Sequence, residues 1–247
     1  MKPKKIVKAL INRMVEPWSM ELAYSYLVRR PASEHDWMKN LHIRTVLDIG
    51  ANTGQFASRI RTILPDTSIY SFEPLADAHA LLLTEMKDDP SFKAFNFALG
   101  DENTRTKINR SRSSPSSSLR RMLELHTAAW PYTAEVGTEE IELKRLDCLD
   151  LTIEKSLLVK MDVQGFEDKV IAGGRMTIGA AACVITEVSF ERLYEGQPLF
   201  EDIYLMLREM GFEYRGNWDQ LPDPRDGKVL QADAIFIKPD NHPNGIG

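Results

Sequence analysis

The stretch TVLDIGANTG, residues 45–54, ends an apolar run on an acid, Asp48, and then turns through Gly50, Asn52 and Gly54. In open α/β sheets ligands bind beyond the carboxyl ends of the strands, so this turn is the first place to look for a ligand. Gly50 lets the backbone turn tightly and come close to it, and Gly54 opens the next helix without a side chain in the way. Two ligand classes compete. A dinucleotide site wants G-x-G-x-x-G, so that a pyrophosphate can sit on the helix N-terminus. Here Asn52 replaces the middle glycine, and Asp48 repels a pyrophosphate but suits a cation. The pattern D-x-G-x-N-x-G therefore favours S-adenosylmethionine, which carries an ammonium and a sulfonium and no phosphate. The plain alternative is a tight turn with Asp48 as a helix cap.

Two further acids bear on the same ligand. Glu73 ends the next strand, SIYSFEP, where an acid accepts hydrogen bonds from two ribose hydroxyls. That feature supports a nucleoside without choosing between cofactors. Asp101 follows the third strand, where adenine is expected, although a turn aspartate is an equally good reading.

Around these residues the pattern alternates strand and helix. TVLDIG, SIYSFEP, FKAFNFALGD (92–101), LLVKMDVQG (157–165) and ACVITEVSF (182–190) read as strands. QFASRIRTIL, DAHALLLTEMK, FEDKVIAGG and FEDIYLMLREMGF read as helices between or after them. EYRGNW and LQADAIFIK are close enough to pair as an antiparallel hairpin. The expected fold is α/β: a mostly parallel twisted sheet with an antiparallel final strand and helices on both faces. Residues 102–144 break the rhythm as a hairpin-like excursion around a Ser/Arg-rich loop, RSRSSPSSSLRR (110–121). This gives a helical extension over 1–40, one domain over 41–239 and a disordered tail over 240–247.

The 247 residues are 43% hydrophobic, enough for a sizeable core, and the net charge of −5 argues against bulk nucleic-acid binding. Cys148 and Cys183 lack metal-ligand spacing and read as reduced thiols of a cytoplasmic protein. No apolar run is long enough to span a membrane, and Asn12 and Arg13 interrupt what would be a signal-peptide core. Ile6, Leu10, Met14 and Val15 fit one helical face beside several lysines. That face suits packing on the domain, a second subunit of a homodimer, or peripheral contact with an anionic membrane.

Taken together, VLDIGANTG (46–54), SFEP (71–74), ALGD (98–101), SSSL (116–119), RLDCL (145–149), VKMDVQGFE (159–167) and ITEVS (185–189) resemble, in order, the FkbM-type methyltransferases of the class I, Rossmann-like fold. The resemblance covers roughly residues 44–190. It implies S-adenosylmethionine-dependent O-methylation of a hydroxyl on a sugar, glycan or other natural product. One departure is Gln164, where the family usually has a glutamate.

Methyl transfer of this kind is an in-line displacement, so positioning the acceptor oxygen is the main task and a general base assists it. Asp162, ending the strand expected beside the first, is the leading candidate for base or acceptor-orienting residue. Glu187 ends the following strand and is second. Glu167 is third, although an acid in a helix's first turn is also favoured by the dipole. Asp162 and Glu187 together offer oxygen ligands that would suit Mg²⁺, which nothing in the chemistry requires. Arg110, Arg112, Arg120 and Arg121 in the Ser/Arg loop suggest a lid gripping a phosphate or carboxylate on the acceptor, against a solvated loop. The rivals are a nucleic-acid methyltransferase, an NAD(P)-dependent oxidoreductase and a non-catalytic S-adenosylmethionine-binding protein. The first lacks its motifs, and the second lacks the middle glycine.

Overall fold

The computed structural model describes residues 36–239. The chain divides into two units, residues 1–40 and 41–247. Of the first, only the helix α1, Asp36–Lys39, and the turn after it are described. The amphipathic N-terminal face and the 240–247 tail lie outside the described residues.

The second unit is built on a seven-stranded sheet. Its strands are β1 (Thr45–Ile49), β2 (Ser68–Phe72), β3 (Phe92–Phe95), β7 (Leu157–Met161), β8 (Cys183–Ser189), β9 (Glu213–Pro222) and β10 (Val229–Ile237). They lie in the order β3-β2-β1-β7-β8-β10-β9. β3, β2, β1, β7 and β8 are parallel, and β10 runs antiparallel to both its neighbours. This is the expected Rossmann-like sheet. Its antiparallel strand is the last in sequence but not at the edge, because β9 lies outside it.

Between these strands run the helices α2 (Gln55–Ile63), α3 (Ala76–Glu85), α5 (Glu167–Gly173), α6 (Arg175–Gly179) and α7 (Phe200–Glu209). Alternate strand residues Leu47, Ile49, Val159, Met161 and Val184 share one core with Val170 and Ile171 of α5, Ile178 of α6, and Ile203 and Leu207 of α7. The intervening residues Val46, Ile69, Leu158 and Ile185 are buried as well, as are Ala57, Ile60 and Ile63 of α2. A sheet buried on both faces explains why these strands read as continuous apolar runs.

The excursion forms a second sheet with the short strand β4 (Ala98–Leu99) that precedes it: β4, β5 (Thr104–Ser111) and β6 (Glu135–Lys144) lie in the order β4-β6-β5. β5 and β6 pair antiparallel, as their alternation suggests. The expected single strand over 92–101 is divided. Phe92–Phe95 stays with β2, while Ala98 and Leu99 pair with β6. Asn96 makes the break, donating its side-chain amide to the carbonyls of Glu73 and Pro74 at 3.0 and 2.9 Å. The helix α4 (Glu124–Ala129) lies between β5 and β6.

The two sheets meet at glycines. A Cβ on Gly173, at the end of α5, would lie 1.7 Å from the carbonyl oxygen of Gly100. Helix propensity alone favours Gly→Ala by about 1 kcal/mol, but a clash with backbone cannot be relieved by a rotamer change and costs about 1–3 kcal/mol or more. Gly173→Ala is therefore expected to lower the free energy of urea unfolding by about 1–2 kcal/mol. Gly179→Ala, where the new methyl meets only Met210 Cε at 3.6 Å, should leave it unchanged or raise it.

Candidate active site

Strand register gathers the charged residues. Asp48 of β1 lies opposite Ser71 of β2 and Lys160 of β7. Lys160 pairs with Ile185 of β8, and Glu187 of β8 pairs with Asp233 of β10. Because side chains alternate along strands, Asp48, Lys160, Asp162, Glu187 and Asp233 all project from one face near the carboxyl ends of the parallel strands. The Lys160 ammonium is 3.8 Å from Asp48 Oδ1 and 3.4 Å from Asp162 Oδ2, and donates to the carbonyl of Gly50 at 3.3 Å. Burial disfavours this ammonium, but the carboxylates of Asp162, Asp48, Asp233 and Glu187 outweigh burial and hold its pKa above the ordinary range.

The turn after β1 is shaped by its neighbour. Gly50 has φ +79°, and a Cβ there would lie 1.9 Å from the carbonyl oxygen of Asp162. Asn52 and Gly54 also have positive φ, 46° and 99°. Asp48 is fully buried and is not among the residues lining the cleft described below. It accepts a hydrogen bond from Ser71 Oγ at 3.2 Å, while its Oδ1 is an ion-pair partner of Lys160 without a hydrogen bond. Burial raises its pKa against the lowering effect of Lys160.

Gly50, Asn52, Glu73 and Asp162 do line one cleft, with Phe72, Leu75, Ala98 and Leu99 as its apolar wall. Glu73 is buried. Its Oε2 accepts from the Asn52 amide at 2.9 Å and its Oε1 from the Leu75 amide at 2.8 Å. Asn52 Nδ2 donates to Ser114 Oγ at 2.9 Å, so the excursion reaches over the turn and the cleft holds about 70 Å³. Gly54 does not line it but starts α2. Asp101 is also outside, paired at 2.7 Å with Lys169, which holds its carboxyl below the usual range.

Of the three catalytic candidates, Asp162 and Glu187 are brought together. Gln164 Nε2 donates to Asp162 Oδ1 at 2.8 Å and to Glu187 Oε2 at 3.0 Å. An amide, which needs no cation, thus fills the space between the two carboxylates proposed as Mg²⁺ ligands. Among the described residues no group of three or more His, Cys, Asp or Glu side chains is placed to hold a metal ion. Burial and the carboxylates of Asp162, Glu167 and Asp233 push Glu187 well above the usual range. Glu167 faces its own turn, accepting from the amides of Val163 at 3.0 Å and Gly165 at 3.3 Å.

The orientation of Gln164 is set from behind. Its Oε1 accepts the hydroxyl proton of Tyr194 at 2.7 Å, and its carbonyl accepts from Ser118 Oγ at 2.6 Å. The Tyr194 hydroxyl also lies 3.1 Å from the carbonyl of Ser116 and 3.2 Å from His126 Nε2. His126 Nδ1 lies 2.9 Å from Thr133 Oγ1, which itself donates to the carbonyl of Trp130 at 2.6 Å. Burial lowers the His126 pKa to about 4, which keeps the ring neutral.

Three of the four arginines expected to grip a ligand are occupied. Arg110 pairs with Asp77 and Glu139, Arg120 binds Asp168 through two hydrogen bonds, and Arg121 pairs with Glu195. They hold the excursion to the domain. Lys160 and Tyr194 escaped the reading of the sequence. A lysine inside the apolar run LLVKM was the available signal for the first. The second carries none, because its partners come from three distant segments.

Residues 48–214 match the sequence model of the methyltransferase FkbM domain. The chain belongs to the FkbM methyltransferase family. A relative, the 2-O-methyltransferase NoeI of Sinorhizobium fredii (strain NBRC 101917 / NGR234), is 33% identical over 161 residues, covering 62% of this chain and 66% of that protein, just under two thirds of its length. Among solved structures, TehB from Haemophilus influenzae matches with TM-score 0.48 and 10% identity over 87% of this chain and 65% of its own. Magnesium protoporphyrin IX methyltransferase from Synechocystis PCC 6803 matches with TM-score 0.46 and 10% identity over 89% and 81%. Likenesses at this level bear on neither substrate nor mechanism. In this FkbM domain the departure at Gln164 sits at the centre of the site.

Two outcomes follow. Gln164→Glu would put a third carboxylate against Asp162 and Glu187. It should destabilise the fold by about 2 kcal/mol at pH 8 and much less at pH 5.5, where the new carboxyl keeps a proton to donate; chemical unfolding at the two pH values measures this.

The second concerns Glu73 and Glu167, which burial pushes to about 7, and Asp233, which it pushes to about 6. Each keeps a proton that the unfolded chain has released. The stability it confers is complete below the ordinary carboxyl pKa of 4.5 for glutamate and lost as pH rises through about 7. His126 acts in the opposite sense between about 4 and 6.5. Unfolding free energy should fall between about pH 5 and 7.5, and Glu167→Gln should reduce that slope by roughly 1 kcal/mol per pH unit.

Proposed function

We propose that the protein transfers a methyl group from S-adenosylmethionine to a hydroxyl of a sugar, glycan or other natural product. The observation that carries this is the chemistry of the cleft: its charged lining residues are Glu73 and Asp162, with no lysine or arginine among the described ones. A pyrophosphate would meet two acids and no cation there, whereas a sulfonium nucleoside suits it. Glu73 is fixed by two backbone amides, and each of its oxygens keeps a lone pair for a ribose hydroxyl. The apolar wall suits adenine, and the glycine turn allows close backbone approach.

Bound there, S-adenosylmethionine supplies an already activated methyl carbon. The chain's own work is to orient the acceptor and take its proton. Asp162, which faces the cleft, orients the acceptor hydroxyl. Glu187, tied to Asp162 by Gln164, has a raised pKa that matches it better to a general base than an ordinary carboxylate. The name of the 33% identical relative supports oxygen as the accepting atom. Residues 113–117 must move aside for loading, because the Asn52–Ser114 hydrogen bond crosses the turn.

Calorimetric titration with S-adenosylhomocysteine tests this reading. Micromolar binding is expected, with NADH unbound, and Glu73→Ala should weaken it about tenfold or more, the loss of one or two hydrogen bonds to a charged group. Binding of NADH and not of S-adenosylhomocysteine would sink it.

A further inference from the structure

A second cavity, of about 230 Å³, opens on the far side of Asp162 and is lined by Asp162, Glu187, Asp219, Gln220, Gln231 and Asp233. Asp162 lines both this cavity and the cofactor cleft, so the two meet at one carboxylate. The strand register makes the site: Glu187 and Asp233 are opposite one another on β8 and β10, and Asp219 lies on β9 next to them. Gln231, one dipeptide step before Asp233 on β10, is only 2% exposed. Its Nε2 has no hydrogen-bond partner among the described residues. A buried amide donor left without a partner costs about 1–3 kcal/mol, which a ligand oxygen in the cavity would offset.

The remaining lining groups act in the opposite sense. Four carboxylates accept protons and offer none while ionised. The nearby cations are engaged, Lys160 by Asp48 and Asp162 and Arg59 by Asp219 at 3.1 Å.

We infer that this second cavity is the acceptor subsite and that it selects a neutral or amino-bearing polyhydroxyl group, a sugar ring without phosphate, sulfate or carboxylate. Hydroxyl and amine hydrogens are received by Asp233, Glu187 and Asp219, and one ring or hydroxyl oxygen is received by Gln231 Nε2. The hydroxyl next to Asp162 is the one presented to the cofactor cleft. An anionic substituent would be placed against the carboxylates and is refused by like charge. The inference rests on the methyltransferase reading above and reverses the expectation that arginines of the excursion hold an anion on the acceptor.

The test uses the full chain saturated with S-adenosylhomocysteine on an array of neutral, amino-sugar, uronic-acid, sulfated and sialylated glycans. Turnover with labelled S-adenosylmethionine then follows on those retained. Retention confined to neutral or amino-sugar glycans is expected, with anionic counterparts of a retained glycan weaker by about tenfold or more. Gln231→Leu should raise the acceptor KM about tenfold while S-adenosylhomocysteine affinity stays within about twofold. Asp233→Lys should shift retention towards anionic glycans. Preferential retention of anionic glycans by the native chain would overturn the inference. So would an acceptor KM unmoved by both substitutions, or intact S-adenosylhomocysteine binding with no glycan retained. Those outcomes leave the cofactor reading standing, whereas loss of S-adenosylhomocysteine binding by the native chain overturns both.

Discussion

The ammonium of Lys160 is what allows four acids, Asp48, Asp162, Glu187 and Asp233, to gather on one face of the sheet near the carboxyl ends of its parallel strands. At 3.4 Å and an effective dielectric of about 20, one ion pair is worth of order 5 kcal/mol before desolvation. Removing an ammonium from water costs several kcal/mol. One carboxylate would barely hold it charged, and several do so firmly. The dependence is mutual, since without the lysine the acids would repel one another and keep their protons. The cation also donates to the carbonyl of Gly50, so the charge cluster is tied to the turn of the cofactor cleft.

That turn and the one after β7 are built against each other. Gly50 is glycine because the carbonyl of Asp162 occupies the space of a side chain. Gln164, at φ +54°, is held in a conformation that most residues avoid, by Ser118 on its carbonyl and Tyr194 on its side chain. The excursion between β4 and β6 supplies Ser118, and its arginines anchor it through acids of the main domain. An irregular segment thereby fixes the position of the residue that bridges Asp162 and Glu187.

The parallel core was legible because each strand is buried on both faces and reads as a short apolar run, and because Gly50, Asn52 and Gly54 do need unusual backbone geometry. The placement of Glu73, Asp162 and Glu187 followed from the rule that chemistry collects at strand ends. What sequence could not give was register. The opposition of Asp48 to Lys160, and of Glu187 to Asp233, is set by pairings between segments more than forty residues apart for each pair. The roles of Tyr194 and Gln231 depend on side-chain direction, and the break at Asn96 depends on two carbonyls that pattern alone does not show. The Ser/Arg loop was opaque for a related reason: the acids that pair with Arg110, Arg120 and Arg121 lie in segments that only the fold brings to it.

Gln164 gains its meaning from that charge balance. A glutamate in its place would add one more negative group to a face where a single lysine offsets four acids. The neighbouring carboxyls would then hold protons more tightly, and a protonated carboxyl cannot serve as a base. The amide avoids this. Its two N–H bonds satisfy Asp162 and Glu187 without changing the total charge, and its oxygen passes the constraint back to Tyr194 and His126, both uncharged. The face therefore stays acidic enough to receive hydroxyl protons, yet not so crowded with charge that its acids cease to be acceptors.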